Sequence, residues 1–297
     1  MAEGIHIYTS QKDENMVICD KINDLQDNLA RLKMGKKRVG FVPTMGALHA
    51  GHASLIHKAR SENDIVVVSI FVNPTQFTNQ SDLKNYPRTP ESDHQLLKNC
   101  NVDLLFSPAV SEIYPEGNAA KKFPDMGPIS NVMEGVFRPG HFDGVVEIVW
   151  HLFEMVKPDF AYFGEKDFQQ LAIIRKMVDV MHRSEKIVAC KTVREANGLA
   201  MSSRNLRLTE KGREEASEIY RTLIYMKENR DRFSPGELKS EAIKRIQANP
   251  ALKVEYVEIA DEISLQPVTF WENNLHLRAF AAVYCEEIRL IDNLPLF

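Results

Sequence analysis

The sequence predicts an α/β protein, a doubly wound parallel sheet followed by a smaller α+β unit. Three observations predict it. Short apolar runs alternate with amphipathic stretches up to residue 190, the order that lays helices on both faces of a parallel sheet. The run I-V-V-V-S-I-F-V at 65–72 is apolar at nearly every position, as a central parallel strand buried on both faces requires. Past residue 190 the order changes to helices followed by adjacent strands, which points to a separate α+β unit. The expected division is therefore 1–190 and 191–297, with 1–15 a weakly patterned polar extension.

The elements follow in order. From Asp20, the residues Ile22, Leu25, Leu29 and Leu32 recur at spacings of three and four, predicting a helix with one buried face. Gly35 closes it, and 38–42 runs into Pro43 as a short buried strand. Gly46 to Gly51 lead into a second helix through Ser54, Leu55, Ile56 and Ala59, before the strand at 65–72. A helix over 90–99 and a strand over 102–106 come next. The pattern then resumes with a helix at 142–156, a strand at 160–163, a helix at 167–181 and a strand at 186–190. Helices at roughly 209–228 and 235–248 precede strands at 254–259, 275–285 and 288–291. A doubly wound sheet of this Rossmann-like kind places its ligand at the C-terminal ends of the strands.

Composition narrows the function. With 297 residues, 44% hydrophobic and 26% charged, the chain reads as an ordinary globular protein. A net charge of −4 supplies no positive field for nucleic acid. No apolar run approaches the ~20 residues that span a bilayer, and no basic segment followed by an apolar one marks a leader. A cytoplasmic location without membrane contact is the expectation. The four cysteines (Cys19, Cys100, Cys190 and Cys285) lie far apart and read as reduced core residues rather than a disulfide frame or zinc site.

The segment P-T-M-G-A-L-H-A-G-H at 43–52 carries the strongest chemical signal. It lies between a strand and a helix, where unpaired N–H groups and the positive dipole end suit a phosphate. Gly46 and Gly51 let the backbone approach a ligand, and His49 and His52, three apart, can face one anion. This is the H-x-G-H signature of nucleotidyl-transfer enzymes, which activate the α-phosphate of ATP. In E-K-D at 165–167, Lys166 can neutralise phosphate oxygens, and Asp167 can hold the hydrated Mg²⁺ that accompanies ATP. Asn73, Gln76 and Gln170 are neutral amides suited to orienting a carboxylate and hydroxyls. Ser202, Ser203 and Arg204 offer donors to a leaving pyrophosphate. Arg138 and His141 are candidates for covering a nucleotide or for a structural role. The aromatic and methionine positions on the helix at 142–156 are assigned to the core, and Lys121-Lys122 to a solvated charge pair.

Several runs, taken together, resemble the pantoate–β-alanine ligase family. They are F-V-P-T-M-G-A-L-H-A-G-H at 41–52, F-V-N-P-T-Q-F at 71–77, Y-P-R-T at 86–89 and R-P-G-H-F-D-G-V at 138–145. F-G-E-K-D-F-Q-Q at 163–170, S-S-R-N at 202–205 and R-L-I-D-N at 289–293 complete the set. The resemblance runs from about residue 16 to the C-terminus. It implies a nucleotidyltransferase-type sheet and ATP-dependent condensation of (R)-pantoate with β-alanine, through pantoyl adenylate, releasing AMP and pyrophosphate. It implies ATP contacts at Met45, Gly46, Ala47, Leu48, His49, Ala50, Gly51 and His52. Gly164, Glu165, Lys166, Asp167, Val193, Met201, Ser202, Ser203 and Arg204 match the remaining nucleotide contacts. His52 matches the family's proton-donating histidine, Gln76 a contact to both pantoate and β-alanine, and Gln170 a second pantoate contact. Homodimerisation is a further family expectation.

The chain departs from the family pattern at Ala50, Asn197, Met201 and Arg207, and none of these departures removes a phosphate or substrate ligand. Two rival readings stay open on sequence. A sibling adenylyltransferase or a class I aminoacyl-tRNA synthetase would also carry H-x-G-H, and an inactive nucleotide-binding regulator could retain it. The negative charge and short chain weigh against the synthetase. The presence of His49, His52, Lys166 and Ser202 to Arg204 weighs against the inactive regulator.

Overall fold

A computed structural model of the chain describes residues 16–115, 123–272 and 275–297. The extension at 1–15 and the Lys121-Lys122 pair lie outside the described residues. The first part of the chain forms strands β1 (Val17–Cys19), β2 (Val39–Thr44), β3 (Ile65–Ile70), β4 (Leu104–Phe106), β5 (Phe160–Gly164) and β6 (Lys186–Cys190). They make one sheet in the order β1-β4-β3-β2-β5-β6, with every pairing parallel. The helices of this part are α1 (Ile22–Leu32), α2 (Ala50–Glu62), α3 (Gln80–Lys84), α4 (Pro90–Asn99), α5 (Val110–Ile113), α6 (Glu134–Phe137), α7 (His141–Val156) and α8 (Phe168–Val180).

Successive side chains of a strand point to opposite faces, so each strand serves two cores. Phe41, Val67, Leu104 and Phe106 pack with residues of α1, α7 and α8. Val42, Val66, Val68 and Leu105 pack with Ile56 and Ala59 of α2 and Leu97 of α4. That two-sided demand is why β3 reads as an unbroken apolar run.

The remainder comprises α9 (Glu210–Ala216), α10 (Glu218–Asn229), α11 (Pro235–Gln247), β7 (Leu252–Asp261), β8 (Leu277–Cys285) and β9 (Ile288–Pro295). Its three strands form an antiparallel sheet in sequence order around a separate apolar cluster that includes Leu223, Leu238, Ile259 and Val283. The doubly wound sheet with a small α+β unit is thus the observed architecture. Several details differ from the sequence reading, among them the short helices α3, α5 and α6. β1 adds an edge strand, the helix expected over 209–228 breaks at the buried Ser217, and β7 and β9 run longer than expected. All four cysteines are buried and unbridged. No helix among the described residues is long and apolar enough to cross a membrane.

Candidate active site

β2 pairs with β3 on one side and β5 on the other, so the winding of the sheet reverses there. The loops leaving the C-terminal ends of β2 and β5 therefore diverge and open a crevice. The cleft at this position has a volume of ≈ 1190 Å³, its open mouth included. His49, His52, Lys166, Asn73, Gln76 and Gln170 all line it.

The start of α2 sets the geometry of the two histidines. His49 is the N-cap, and its Nδ1 accepts from the Gly51 N–H at 3.1 Å. His52 Nδ1 in turn accepts from the His49 N–H at 3.3 Å. These reciprocal bonds satisfy donors that a helix start leaves unpaired. They also fix the tautomers: with both Nδ1 atoms accepting, the proton of each neutral ring sits on Nε2. Withdrawal from water, then the charge of Lys166, hold the His49 pKa down to about 4. Burial, then His49 and Lys166, lower that of His52 to about 3. Two neutral Nε2–H donors, with ring centroids 4.2 Å apart, thus stand beside a lysine. Gly51 makes this possible, because a Cβ there would lie 2.8 Å from the His49 ring.

Across the cleft stand the amides. Gln76 is buried, its Nε2 donating to Met45 Sδ at 3.3 Å and its Oε1 accepting from Asn73 Nδ2 at 3.2 Å. Asn73 is fully committed internally. Its Nδ2 also donates to the Gly144 carbonyl at 3.1 Å, and its Oδ1 accepts from the Tyr114 hydroxyl at 2.9 Å and from Thr75. It lines the cleft but spends its hydrogen bonds on fixing Gln76 against α7. Gly144 permits that contact, since a Cβ there would strike the Thr75 carbonyl at 2.6 Å. Arg138 donates to His141 Nε2 at 3.1 Å, which leaves His141 Nδ1–H to donate to the Gln76 carbonyl at 2.7 Å. Both residues of the R-P-G-H run therefore support Gln76.

The turn Glu165–Asp167 follows β5 directly. Lys166 Nζ lies 3.5 Å from Asp167 Oδ1, with Lys166 largely enclosed and Asp167 half-exposed. Asn293 of β9 holds this turn, its Nδ2 donating to the carbonyls of Glu165 and Lys166 at 2.9 and 2.8 Å. Met45, Gly51, Gly164, Val193, Met201, Ser202, Ser203 and Arg204 also line the cleft. Gly46, Ala47, Leu48, Ala50 and Glu165 do not; the Glu165 carboxylate lies 3.9 Å from Arg278.

The profile of the pantoate-beta-alanine ligase family matches residues 17–295. The chain belongs to that family. The pantothenate synthetase of Bacteroides thetaiotaomicron is 49% identical over 279 residues, covering 94% of this chain and 98% of that protein. That of Flavobacterium psychrophilum is also 49% identical, covering 95% of this chain and all of its own. Among solved structures, the pantothenate synthetase of Thermus thermophilus superposes with a TM-score of 0.88 at 42% identity, covering 95% of this chain and 100% of that one. The ligase of Francisella tularensis, solved with β-γ ATP and β-alanine, gives 0.81 at 40% identity, covering 95% and 98%.

In this ligase the motif at 202–204 is tied to the rest of the cleft. Ser203 is buried and donates its hydroxyl to the Ala47 carbonyl at 3.0 Å. Arg204 donates to Asp82 of α3 at 2.7 Å, and Arg207 to the same carboxylate at 3.2 Å. Sequence reasoning missed two groups of residues. Val145, Ile148, Val149 and Leu152 of α7 form an apolar wall of the cleft with Phe71. Glu134 accepts from both terminal nitrogens of Arg289 at 2.7 Å and from the Tyr256 hydroxyl at 2.8 Å, binding the small sheet to the first part of the chain. The apolar wall has no sequence signature, because a pocket-lining valine and a core valine obey the same helical period.

Proposed function

We propose that this ligase joins pantoate to β-alanine through a pantoyl adenylate formed over the start of α2. The pantoate carboxylate attacks the α-phosphorus of ATP and pyrophosphate leaves. The amine of β-alanine then attacks the activated carbonyl and AMP leaves. One observation carries this reading. The Nε2–H donors of His49 and His52 converge with Lys166 at the switch point of the sheet, facing neutral amides and an apolar wall across one cleft. Three donors at one end suit developing phosphate charge. Gln76 and Gln170 suit the carboxylate and hydroxyls of a small acid, and the wall of α7 suits its carbon skeleton.

Neither step needs a protein nucleophile, so catalysis is positioning and charge stabilisation. His52 acts by donating a hydrogen bond from a neutral ring. Asp167, half-exposed beside Lys166, suits Mg²⁺ arriving on ATP, which keeps several waters and takes one or two carboxylates with the phosphates. That ion would supply neutralisation of phosphate oxygens. Ser202 and Arg204 would receive the leaving pyrophosphate, and residues 191–297 would act as the domain covering the cleft. A cytoplasmic homodimer, carried over from the family resemblance, completes the proposal.

Product analysis tests the reading. With ATP, pantoate and β-alanine together, AMP, pyrophosphate and pantothenate should appear in equal amounts. ADP with inorganic phosphate would instead indicate an acyl phosphate and overturn the adenylate route.

A further inference from the structure

The loop Gly46–Leu48 turns through the left-handed region, with φ of 81° at Gly46 and 49° at Ala47. For alanine that conformation is strained, so something must hold it. Consecutive N–H groups in such a turn make a concavity that attracts anions. In a phosphate-binding loop the natural occupant is a phosphate. Here the occupant is a carboxylate of the chain itself. Asp93, in the first turns of α4 and only 2% exposed, accepts from the Ala47 N–H at 2.9 Å through Oδ2. Its Oδ1 accepts from the Leu48 N–H at 2.7 Å and from the Thr89 hydroxyl at 2.9 Å. On the loop's other side, Ser203 takes the Ala47 carbonyl.

We propose that Asp93 is the positioning residue of the phosphate site: an internal anion that fills the loop's nest and so sets where His49 and His52 stand. The Ala47 and Leu48 N–H groups then serve the loop's shape and do not bind ATP. Phosphate contact falls to the two Nε2–H donors and Lys166. Thr89 orients the carboxylate, and Ser203 transmits the loop's position to the serine–serine–arginine turn. This inference deepens the functional reading above and rests on it for the identity of the nucleotide.

Asp93→Asn keeps the shape of the side chain but replaces an acceptor by an NH₂ that must face an N–H. The full-length protein is titrated with MgATP by calorimetry and assayed with ATP, pantoate and β-alanine. The expected result is a Kd for MgATP raised about tenfold or more and kcat lowered about tenfold or more. KM for β-alanine should stay within about threefold, because the amine binds after the phosphates have reacted. Thr89→Val, which removes only the orienting hydroxyl, should show the same pattern at about threefold, and it decides the matter if Asp93→Asn does not fold. Parent-like MgATP affinity and kcat in either folded variant would overturn the proposal. So would a loss of active protein with unchanged Kd and KM values. Wild-type protein that binds MgATP but forms no pantothenate would sink the functional reading alone, leaving the calorimetric comparison as the test of Asp93.

Discussion

Replacing His52 by alanine is expected to lower turnover by about 10²–10³-fold, the usual cost of removing one preorganised donor to developing charge. The expectation comes from geometry before charge. His52 Nδ1 is occupied by the His49 N–H, which leaves Nε2–H as the only polar group the ring can offer the cleft. The substitution should also loosen the helix start, since the reciprocal cap is lost. A correctly folded variant with near-normal turnover would remove His52 from the mechanism. The pH dependence separates a hydrogen-bond donor from an imidazolium. The pKa values of His49 and His52 are held at about 4 and about 3, against an ordinary value of 6.5. Both rings are thus neutral in the free enzyme at neutral pH, and kcat/KM for ATP should show no histidine inflection as pH falls from 8 through 6.5. The linked stability has a definite sign. With folded values depressed, the contribution is fully present above about 6.5 and is lost as pH falls through 6.5 toward 4 and 3.

Arg289→Ala is expected to cost about 3–5 kcal/mol of stability, the range for removing one partner of a buried ion pair. Arg289 reaches Glu134, in the first part of the chain, and Glu255 in its own sheet. Without it the buried Glu134 keeps, among the described residues, Arg138 at 3.6 Å and the Tyr256 hydroxyl. A fall in melting temperature of roughly 10 °C follows from that loss for a protein of this size. The double variant Arg289→Met with Glu134→Gln should recover part of it, because the Glu134 charge no longer stays buried without its main partner, while Glu255 still loses Arg289. The pair should also leave a mark on acid stability. Burial alone would raise the Glu134 pKa, but the hydrogen bonds and charge of Arg289, with Arg138, hold it down to about 2. Its contribution is present above the ordinary value of 4.5 and is lost as pH falls from there toward 2. In Arg289→Ala that acid-dependent loss should shrink. A single variant as stable as the parent would show that the contact between the two parts does not depend on this pair.

The sequence disclosed the parts of the fold that obey a period. The run at 65–72 announced β3, and the change of order after 190 announced the antiparallel sheet of β7 to β9. β1 stayed hidden because three residues are too few to display an alternation. The split between α9 and α10 stayed hidden because Ser217, though fully buried, interrupts the helical pattern by only one position. In the cleft, residues whose type suits a chemistry were legible: His49 and His52 at a glycine-bearing turn, Lys166 beside Asp167, and the amides Gln76 and Gln170. Residues whose part depends on direction were not. Asp93 reads as a polar position on an amphipathic helix until its carboxylate is seen against the Ala47 and Leu48 N–H groups. The internal hydrogen bonds of Asn73 could not be read from its type, and Arg138 and His141, open between a cover and a structural role, show the structural part only in their link to the Gln76 carbonyl.

The central claim, that a carboxylate is adenylated before the amine takes part, is tested most directly by isotope exchange. The enzyme is incubated with ATP, Mg²⁺ and pantoate, without β-alanine, in the presence of labelled pyrophosphate. Attack at the α-phosphorus is reversible while the adenylate stays bound, so label should enter ATP. That entry should require pantoate and fall sharply in Lys166→Ala, whose lost charge acts on the phosphates in this first step. Absence of exchange under conditions of normal overall turnover, or exchange of labelled phosphate in place of pyrophosphate, would contradict the account.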